Sequence, residues 1–495
     1  MYFLMNKDNM VAEISAEKTP YETEYSVRKI YGTMPYASDD IAKWLQARKA
    51  SRHNRHIQEI MKACGCEKTE GYIRITHAAT LNDTFWIKNE NEGISWDQVS
   101  LYRNNFNESV SRLAFDGAGL YGLQMSGASP ELTTGGNFRK CWAREDGEII
   151  LYKRGSEGAR NAGLEPYCEA LASEIAAKVC KNAVVYDAVT YHGKAASRCR
   201  LFTDERSGYL PYALVNGQKT GARDLLDFYS GIGSEDDFRR MLVLDAFILN
   251  TDRHTNNHGV LVDNDTQDII RMAPVYDFNL SMLHHCTEDD FQNIGKRVQE
   301  LAPCIGDDFT ELAKAVVTPE IRSDLVNLKG YSFSFGGDEI FPKWRVKKME
   351  DIVDKHINAI LGKSRVFTAD VFPDIEDDIV KAMEAACRKA AGNPAVSRAE
   401  VIKHSVLPPK LNITLRTRGA EVTLSYGKGM SLSEVRVNGE KKDGIDDLAK
   451  GMLDAYIKAV SVNKLMEKCA REGVPGMENK DLKLNGRAVK HGQSR

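Results

Sequence analysis

The chain has 495 residues, 42% of them hydrophobic and 28% charged, and a formal net charge of −3. That length asks for more than one hydrophobic core, and so even a charge balance argues against a general nucleic-acid binder. No run of 18 apolar residues is present to span a membrane, and Met1–Met10 lacks the long apolar core of a signal peptide.

The ten cysteines are scattered, and only Cys64 and Cys66 lie close, as CxC. This predicts reduced thiols in a cytoplasmic protein and no zinc or disulfide framework.

In chain order, Ser38-Asp39-Asp40 before Ile41, Trp44 and Leu45 predicts a capped helix, and a second helix follows near His56–Ala63. Arg48, Arg52 and Arg55 with His53 and His56 form a basic run, expected as a solvated helix face. Pro130–Gly136 leads into a strand over Asn137–Glu145, the Asp146-Gly147 pair predicts a hairpin turn, and Glu148–Lys153 is the return strand. Leu164, Cys168, Leu171, Ile175 and Val179 follow helical spacing, with Pro166 in the first turn.

Residues 183–203 read as one or two strands, and Asp236–Asn250 as a helix with Met241, Leu244, Phe247 and Ile248 on its apolar side. The polar stretch Thr251–Asn257 follows, then two short strands around a turn at Asn264–Gln267, then Pro274–Phe278. Residues 290–362 read as mostly helical, and Phe367–Asp377 as a boundary. Beyond it the pattern predicts a helix near Ile379–Ala390, two strands near Leu411–Tyr426, a helix near Ile445–Cys469 and a frayed basic tail from Asn479.

Phosphoryl transfer needs a backbone cradle and a lysine for the phosphates, oxygen ligands for Mg²⁺, and a carboxylate to orient the attacking hydroxyl. Asp252 with Asn257 five positions later has the spacing of a kinase catalytic loop. Asp252 would accept the hydroxyl proton, while Asn257 and Asp277 would offer oxygens to the hard Mg²⁺ ion. If residues 263 and 268 pair, Asn257 faces Pro274, which leaves Asp277 about 10 Å further along a straight strand. A bend could bring both onto one metal.

Thr134, Gly135 and Gly136 form a turn between strands whose backbone could approach phosphate, and Lys153 supplies a positive charge. Glu165 or Glu169 could pair with Lys153, with Glu165 preferred. Each feature alone is weak. Their order along the chain carries the reading. His254 and His258, in HxxxH spacing, suggest instead a transition-metal hydrolase.

The segment Met241–Phe278, with Asp252, Asn257 and Asp277 after P-x-[YF], resembles the catalytic core of the HipA-like serine/threonine kinases. Ser129–Lys153 and Glu165–Ile175 resemble the small lobe of a less-characterised bacterial branch carrying an SP-x-LTT-x-G element. The resemblance spans about residues 126–360 and implies an α+β, two-lobed, protein-kinase-like fold with additional N- and C-terminal regions. The implied arrangement is an N-terminal region over 1–120, a small lobe over 121–204, a mostly helical catalytic lobe over 205–365 and an α+β extension over 366–495.

It further implies ATP and Mg²⁺ as cofactors and a hinge at Leu201, Phe202 and Thr203 whose backbone meets the adenine. It implies an unidentified protein substrate and autophosphorylation at Ser126, Ser129, Thr133 or Thr134. A regulatory partner could engage the N- or C-terminal region. Thr251 stands where ordinary protein kinases have arginine, Asn279 stands where they have the glycine of DFG, and no APE-like segment follows. A nucleotide-binding pseudoenzyme or scaffold and a small-molecule kinase are the alternatives.

Overall fold

The computed structural model describes residues 1–20, 23–50, 55–117, 128–158, 161–217 and 219–362, and the backbone of the strands from Glu400 onward given below. Three antiparallel sheets with helices packed on them make up the part that carries the site. Near the N-terminus, β1 (Tyr2–Asn6), β2 (Asn9–Lys18), β3 (Thr23–Ile30) and β4 (Phe85–Asn89) form a sheet of order β3-β2-β1-β4. Helices Ile41–Ala47, Arg55–Ala63 and Thr69–Thr76 accompany it, and Leu4, Ile14, Trp44, Leu45, Ile60, Tyr72 and Ile87 share one core. The Asp40 carboxylate caps the first helix, accepting from Ala42 N at 3.1 Å and Lys43 N at 3.0 Å.

The second sheet holds β5 (Lys140–Glu145), β6 (Glu148–Arg154), β7 (Asp187–Tyr191) and β8 (Lys194–Arg200), in the order β5-β6-β8-β7. Asp146 and Gly147, at φ 50° and 83°, turn β5 into β6, as a two-residue hairpin requires. Before β5 the chain makes a 3₁₀ turn, Pro130–Thr133, so the glycine pair joins that turn to a strand and does not lie between two strands as expected. Helix Glu165–Val179 packs on this sheet and carries proline in its first turn.

The third sheet, β11-β10-β9, comprises β9 (Ser207–Pro211), β10 (Gly259–Asp263) and β11 (Ile269–Met272). Helix Glu235–Ile248 ends on Leu249, at φ 55°, which frees the chain to enter the 251–257 loop. A bulge between Leu261 and Val262 pairs Val260 with Met272, one residue away from the unbulged register anticipated.

The sheets are antiparallel and mixed with helices, in keeping with an α+β class. Contacts divide the chain into two compact units, Met1–Phe309 with Gly330–Val353, and Thr310–Lys329 with Asp354–Arg495. In the second, β12 (Glu400–Leu407), β13 (Lys410–Thr417), β14 (Ala420–Tyr426), β15 (Leu432–Val437) and β16 (Glu440–Lys441) form an antiparallel meander, larger than the two strands expected. Lys483–Leu484 and Arg487–Ala488 pair inside the expected tail. The helices expected near 379–390 and 445–469 lie outside the described residues. No described helix is long and apolar enough to cross a membrane.

Arg48 and Glu131 are two of the buried polar residues. Arg48 is no part of a solvated face. Its guanidinium is 8% exposed and forks onto the Asp83 carboxylate at 2.6 and 2.8 Å. Glu131 is 1% exposed, and one carboxylate oxygen accepts from Ser111 Oγ at 2.7 Å and Trp142 N at 2.9 Å. The other oxygen has no partner among the described residues.

Burial pushes the Glu131 carboxyl up from 4.5 to about 6. The folded state therefore binds this proton more tightly than the unfolded chain does. The group's contribution is fully present below pH 4.5 and is lost as pH rises through 6. Glu131→Gln keeps both hydrogen bonds and cannot ionise. Relative to the parent, the variant should gain about 2 kcal/mol between pH 4.5 and pH 7.5. Urea unfolding at both pH values checks this, and an equal difference at the two would refute it.

Candidate active site

Three elements converge on Lys153, which lies on β6, one of the two inner strands of its sheet, with its side chain 8% exposed. Its ammonium donates to Glu169 Oε1 at 2.5 Å and to Asp277 Oδ1 at 2.6 Å. Glu169 comes from the middle of helix Glu165–Val179 and is fully buried. Its second oxygen accepts from Ser197 Oγ at 2.5 Å, and Ser197 lies opposite Lys153 on β8. The preference for Glu165 is therefore corrected. That residue sits one turn earlier, and its carboxylate accepts from Ser156 N at 3.2 Å, tying down the segment after β6.

Electrostatics follow from this packing. Burial would lower the Lys153 ammonium, but Asp277 and Glu169 outweigh it and hold it above its ordinary value. Burial would raise the Asp277 carboxyl, but Lys153 outweighs it and keeps Asp277 below the usual carboxylate range. Glu169 is raised by burial, which the Lys153 charge only partly offsets.

Asp277 has φ 59°, in the left-handed region, and its N–H donates to Tyr186 Oη at 3.4 Å. The Lys153 ammonium sits 5.4 Å from the centre of the Tyr186 ring.

The 251–257 loop presents the other two groups. Asn257 Nδ2 donates to Asp252 O at 2.8 Å and to Asp252 Oδ2 at 3.4 Å. Its amide nitrogen is thus committed to the loop, which leaves the amide oxygen as the donor atom for a cation. The Asp252 carboxyl is raised by burial and then, against His254, by the charge of Asp277.

Arg253 holds this loop in place, and no sequence motif pointed to it. Its guanidinium is 2% exposed. Nε and Nη2 donate to Asp245 at 2.9 and 3.1 Å, and Nη1 donates to Asn257 O at 2.8 Å and Tyr276 O at 2.5 Å. One side chain thereby joins the helix Glu235–Ile248, the loop and the residue before Asp277. An arginine next to a candidate Asp, with Asp245 eight positions upstream, was the available signal.

In the expected phosphate loop, Gly135 and Gly136 are exposed. Gly136 has φ 94°, and a Cβ there would meet Lys140 Nζ at 2.4 Å. Lys140, also unforeseen, stands opposite Lys153 across the β5–β6 pair and donates to Gly135 O at 2.6 Å. Burial, then the neighbouring Lys153 charge, lowers its ammonium to about 8.

The Thr134 hydroxyl donates to Pro130 O at 2.8 Å and accepts from Trp142 Nε1 at 2.9 Å. The Thr133 hydroxyl donates to the same carbonyl at 2.9 Å, and Ser129 is buried. Ser126 lies outside the described residues. Of the expected hinge residues, Leu201 N donates to Ile149 O at 2.9 Å. The Phe202 ring lies 5.5 Å from those of Tyr209 and Tyr276. The Thr203 hydroxyl donates to Leu81 O at 2.5 Å.

Comparison with solved structures finds matches at low identity. The Helicobacter pylori proinflammatory kinase CtkA is 17% identical, over 46% of this chain and 91% of its own, with a TM-score of 0.35. The Shewanella oneidensis MR-1 complex of the toxin–antitoxin proteins HipA and HipB with operator DNA matches at 12% identity, over 73% of this chain and 97% of that one, with a TM-score of 0.46. No protein-family model and no curated protein matches the chain.

The HxxxH alternative is not supported by the geometry. His258 is 3% exposed among Tyr212, Tyr229 and Phe238, and its Nδ1 is 2.8 Å from the Tyr229 hydroxyl. Burial lowers its imidazole to about 3. His254 is half-exposed, with Nε2 3.9 Å from Asp252 Oδ1. The two rings serve different surroundings. Among the described residues, no group of three or more His, Cys, Asp or Glu is placed to hold a metal.

Removing Arg253 strands Asp245 in the interior. Arg253→Met should cost about 3–5 kcal/mol, the scale for breaking one side of a buried ion pair. Adding Asp245→Leu should recover part of that loss. Urea unfolding of the single and double variants checks this, and a single variant within 1 kcal/mol of the parent, on the ~3–5 kcal/mol scale expected, would remove Arg253 from its structural role.

Proposed function

We propose that this chain is an ATP- and Mg²⁺-dependent kinase that transfers the γ-phosphoryl group of ATP to a Ser or Thr hydroxyl of a protein. The observation that carries this reading is the Lys153 ammonium bridging Glu169 and Asp277 beside a loop that presents Asp252 and Asn257. Glu169 positions the lysine, and Lys153 holds phosphate. Asp252 accepts the hydroxyl proton as the hydroxyl oxygen bonds to the γ-phosphorus and the bond to the β-phosphate breaks, releasing ADP.

Asp277 and Asn257 suit Mg²⁺. One is a carboxylate held ionised by Lys153, and the other is an amide whose nitrogen is already engaged. An all-oxygen set of few protein ligands is the usual magnesium pattern when phosphates complete the shell. When bound, that ion neutralises charge on the transferring phosphate.

The backbone of Thr134, Gly135 and Gly136 would line the phosphates, and that of Leu201, Phe202 and Thr203 the adenine. Self-transfer to Thr133 or Thr134 would first require the 130–134 turn to open, because both hydroxyls donate to Pro130 O.

Incubation with γ-labelled ATP and Mg²⁺ tests the reading. Asp252→Asn should lower label transfer by about 10²–10⁴-fold while nucleotide affinity stays near that of the parent. Lys153→Met should weaken nucleotide binding itself. Equal transfer by the parent and the Asp252→Asn variant, or no nucleotide binding by the parent, would overturn the assignment.

A further inference from the structure

The region before residue 117 takes no part in the chemistry above, yet it hydrogen-bonds to Thr203, the last of the residues proposed to meet the adenine, and to Glu205 and Tyr209 just after it. Arg48 organises them. Besides its fork onto Asp83, it donates to Ala78 O at 2.7 Å and Phe85 O at 2.9 Å, and it lies 4.2 Å from the centre of the Trp44 ring. These bonds fix the 78–85 loop, whose tip turns two carbonyls outward. Leu81 O accepts from the hydroxyls of Thr203 at 2.5 Å and Tyr102 at 2.8 Å. Asn82 O accepts from Tyr209 N, on β9, at 2.7 Å.

Contacts on either side continue the grip. Glu205 accepts from Trp96 Nε1 at 2.5 Å and Arg103 Nη2 at 2.9 Å. Asn6 Nδ2 donates to Asn264 O at 2.6 Å, and Lys7 pairs with Asp265 at 2.7 Å. Residue 208 is shaped for the close approach. A Cβ on Gly208 would fall 2.7 Å from Asn82 O and 2.4 Å from Asn264 Oδ1.

On the opposite side of the same segment, Phe202 packs on Tyr276, the neighbour of Asp277. A continuous path therefore runs from Arg48 through Leu81 and Thr203 to the site.

The geometry points to residues 1–116 as a brace that holds the 201–206 connection in its nucleotide-binding form, with Arg48, Thr203 and Gly208 as positioning residues. This rests on the kinase reading above. The brace sets affinity for the nucleotide, because the backbone that meets the base is ordered before binding and its ordering cost does not fall on the ligand.

The test compares the full-length parent with Thr203→Val, Thr203→Ser and Gly208→Ala. It reads hydrogen–deuterium exchange over 201–206 without nucleotide, and Mg²⁺–ATP affinity by calorimetry. Thr203→Val removes the hydroxyl, and with it both the bond to Leu81 O and the 3.5 Å contact that Tyr102 Oη donates. Faster exchange and roughly fivefold weaker binding are expected, the scale of one net hydrogen bond. Thr203→Ser restores the donor and should restore both readings. Gly208→Ala should act in the same direction as Thr203→Val by displacing Asn82 O.

Parent-like exchange in both Thr203→Val and Gly208→Ala overturns the brace. Faster exchange with unchanged affinity overturns its link to nucleotide. If the parent binds no ATP at all, the kinase reading and that link fall together, and the exchange comparison still decides whether the brace holds the connection.

Discussion

The buried guanidinium of Arg253 is the constraint on which the site depends. A charge taken out of water survives only when its hydrogen bonds are met in good geometry. Arg253 meets that condition with Asp245 from a helix and with two backbone carbonyls, Asn257 O and Tyr276 O. Those carbonyls belong to the two segments that deliver the candidate metal ligands. The interaction that stabilises the interior therefore also sets the relative position of the 251–257 loop and the chain entering Asp277. Had the same loop been held by apolar packing alone, its backbone could slide. A planar fork fixes direction as well as distance.

A second cluster, around Lys153, links a strand, a helix and a turn. Lys153 bridges two carboxylates, and the differing states of those carboxylates reflect their surroundings. Glu169 is sealed between helix and sheet, so burial raises it. Asp277 faces Lys153, with Lys140 and Arg253 also acting on it, and stays ionised. An ionised carboxylate can receive a divalent cation, while both oxygens of Glu169 are engaged by Lys153 and Ser197. Asp277 holds a backbone conformation uncommon for a residue with a Cβ, which the Tyr186 hydroxyl and the Arg253 contact to its neighbour help maintain.

The aromatic group Phe202, Tyr209 and Tyr276 connects these pieces to the rest of the unit. The Tyr209 and Tyr276 hydroxyls are 2.6 Å apart, one donating to the other, and Asn256 O in the 251–257 loop lies 3.3 and 2.7 Å from them. Phe202 follows directly from β8, and Tyr209 belongs to β9. The segment between the two sheets is therefore packed on one side against the loop that carries Asp252 and bonded on the other to the N-terminal region.

Much of the local structure was legible in the residue order. Helical spacing with Pro166 marked the helix Glu165–Val179, Asp146-Gly147 marked the β5–β6 hairpin, and the polar run marked the loop in which Asp252 and Asn257 meet. These signals lie within a few residues of one another, so backbone preference and periodicity suffice to read them. The choice between Glu165 and Glu169 was not legible. Four residues apart, they lie on the same helix face, and only the docking of that helix on β6 and β8 selects the second.

Arg48 was read as solvent-facing because its partner Asp83 is 35 positions away, and a pattern of charges carries no information about so distant a loop. The bulge at Leu261 and the role of Arg253 involve nearer partners, but strand register and burial are set only when the elements pack. Sequence alone determined which groups capable of acid–base and metal chemistry the chain carries, and how neighbours among them are spaced. Tertiary structure alone decided which of them share one cluster of charge, because burial and long-range pairing belong to packed elements and to no single segment.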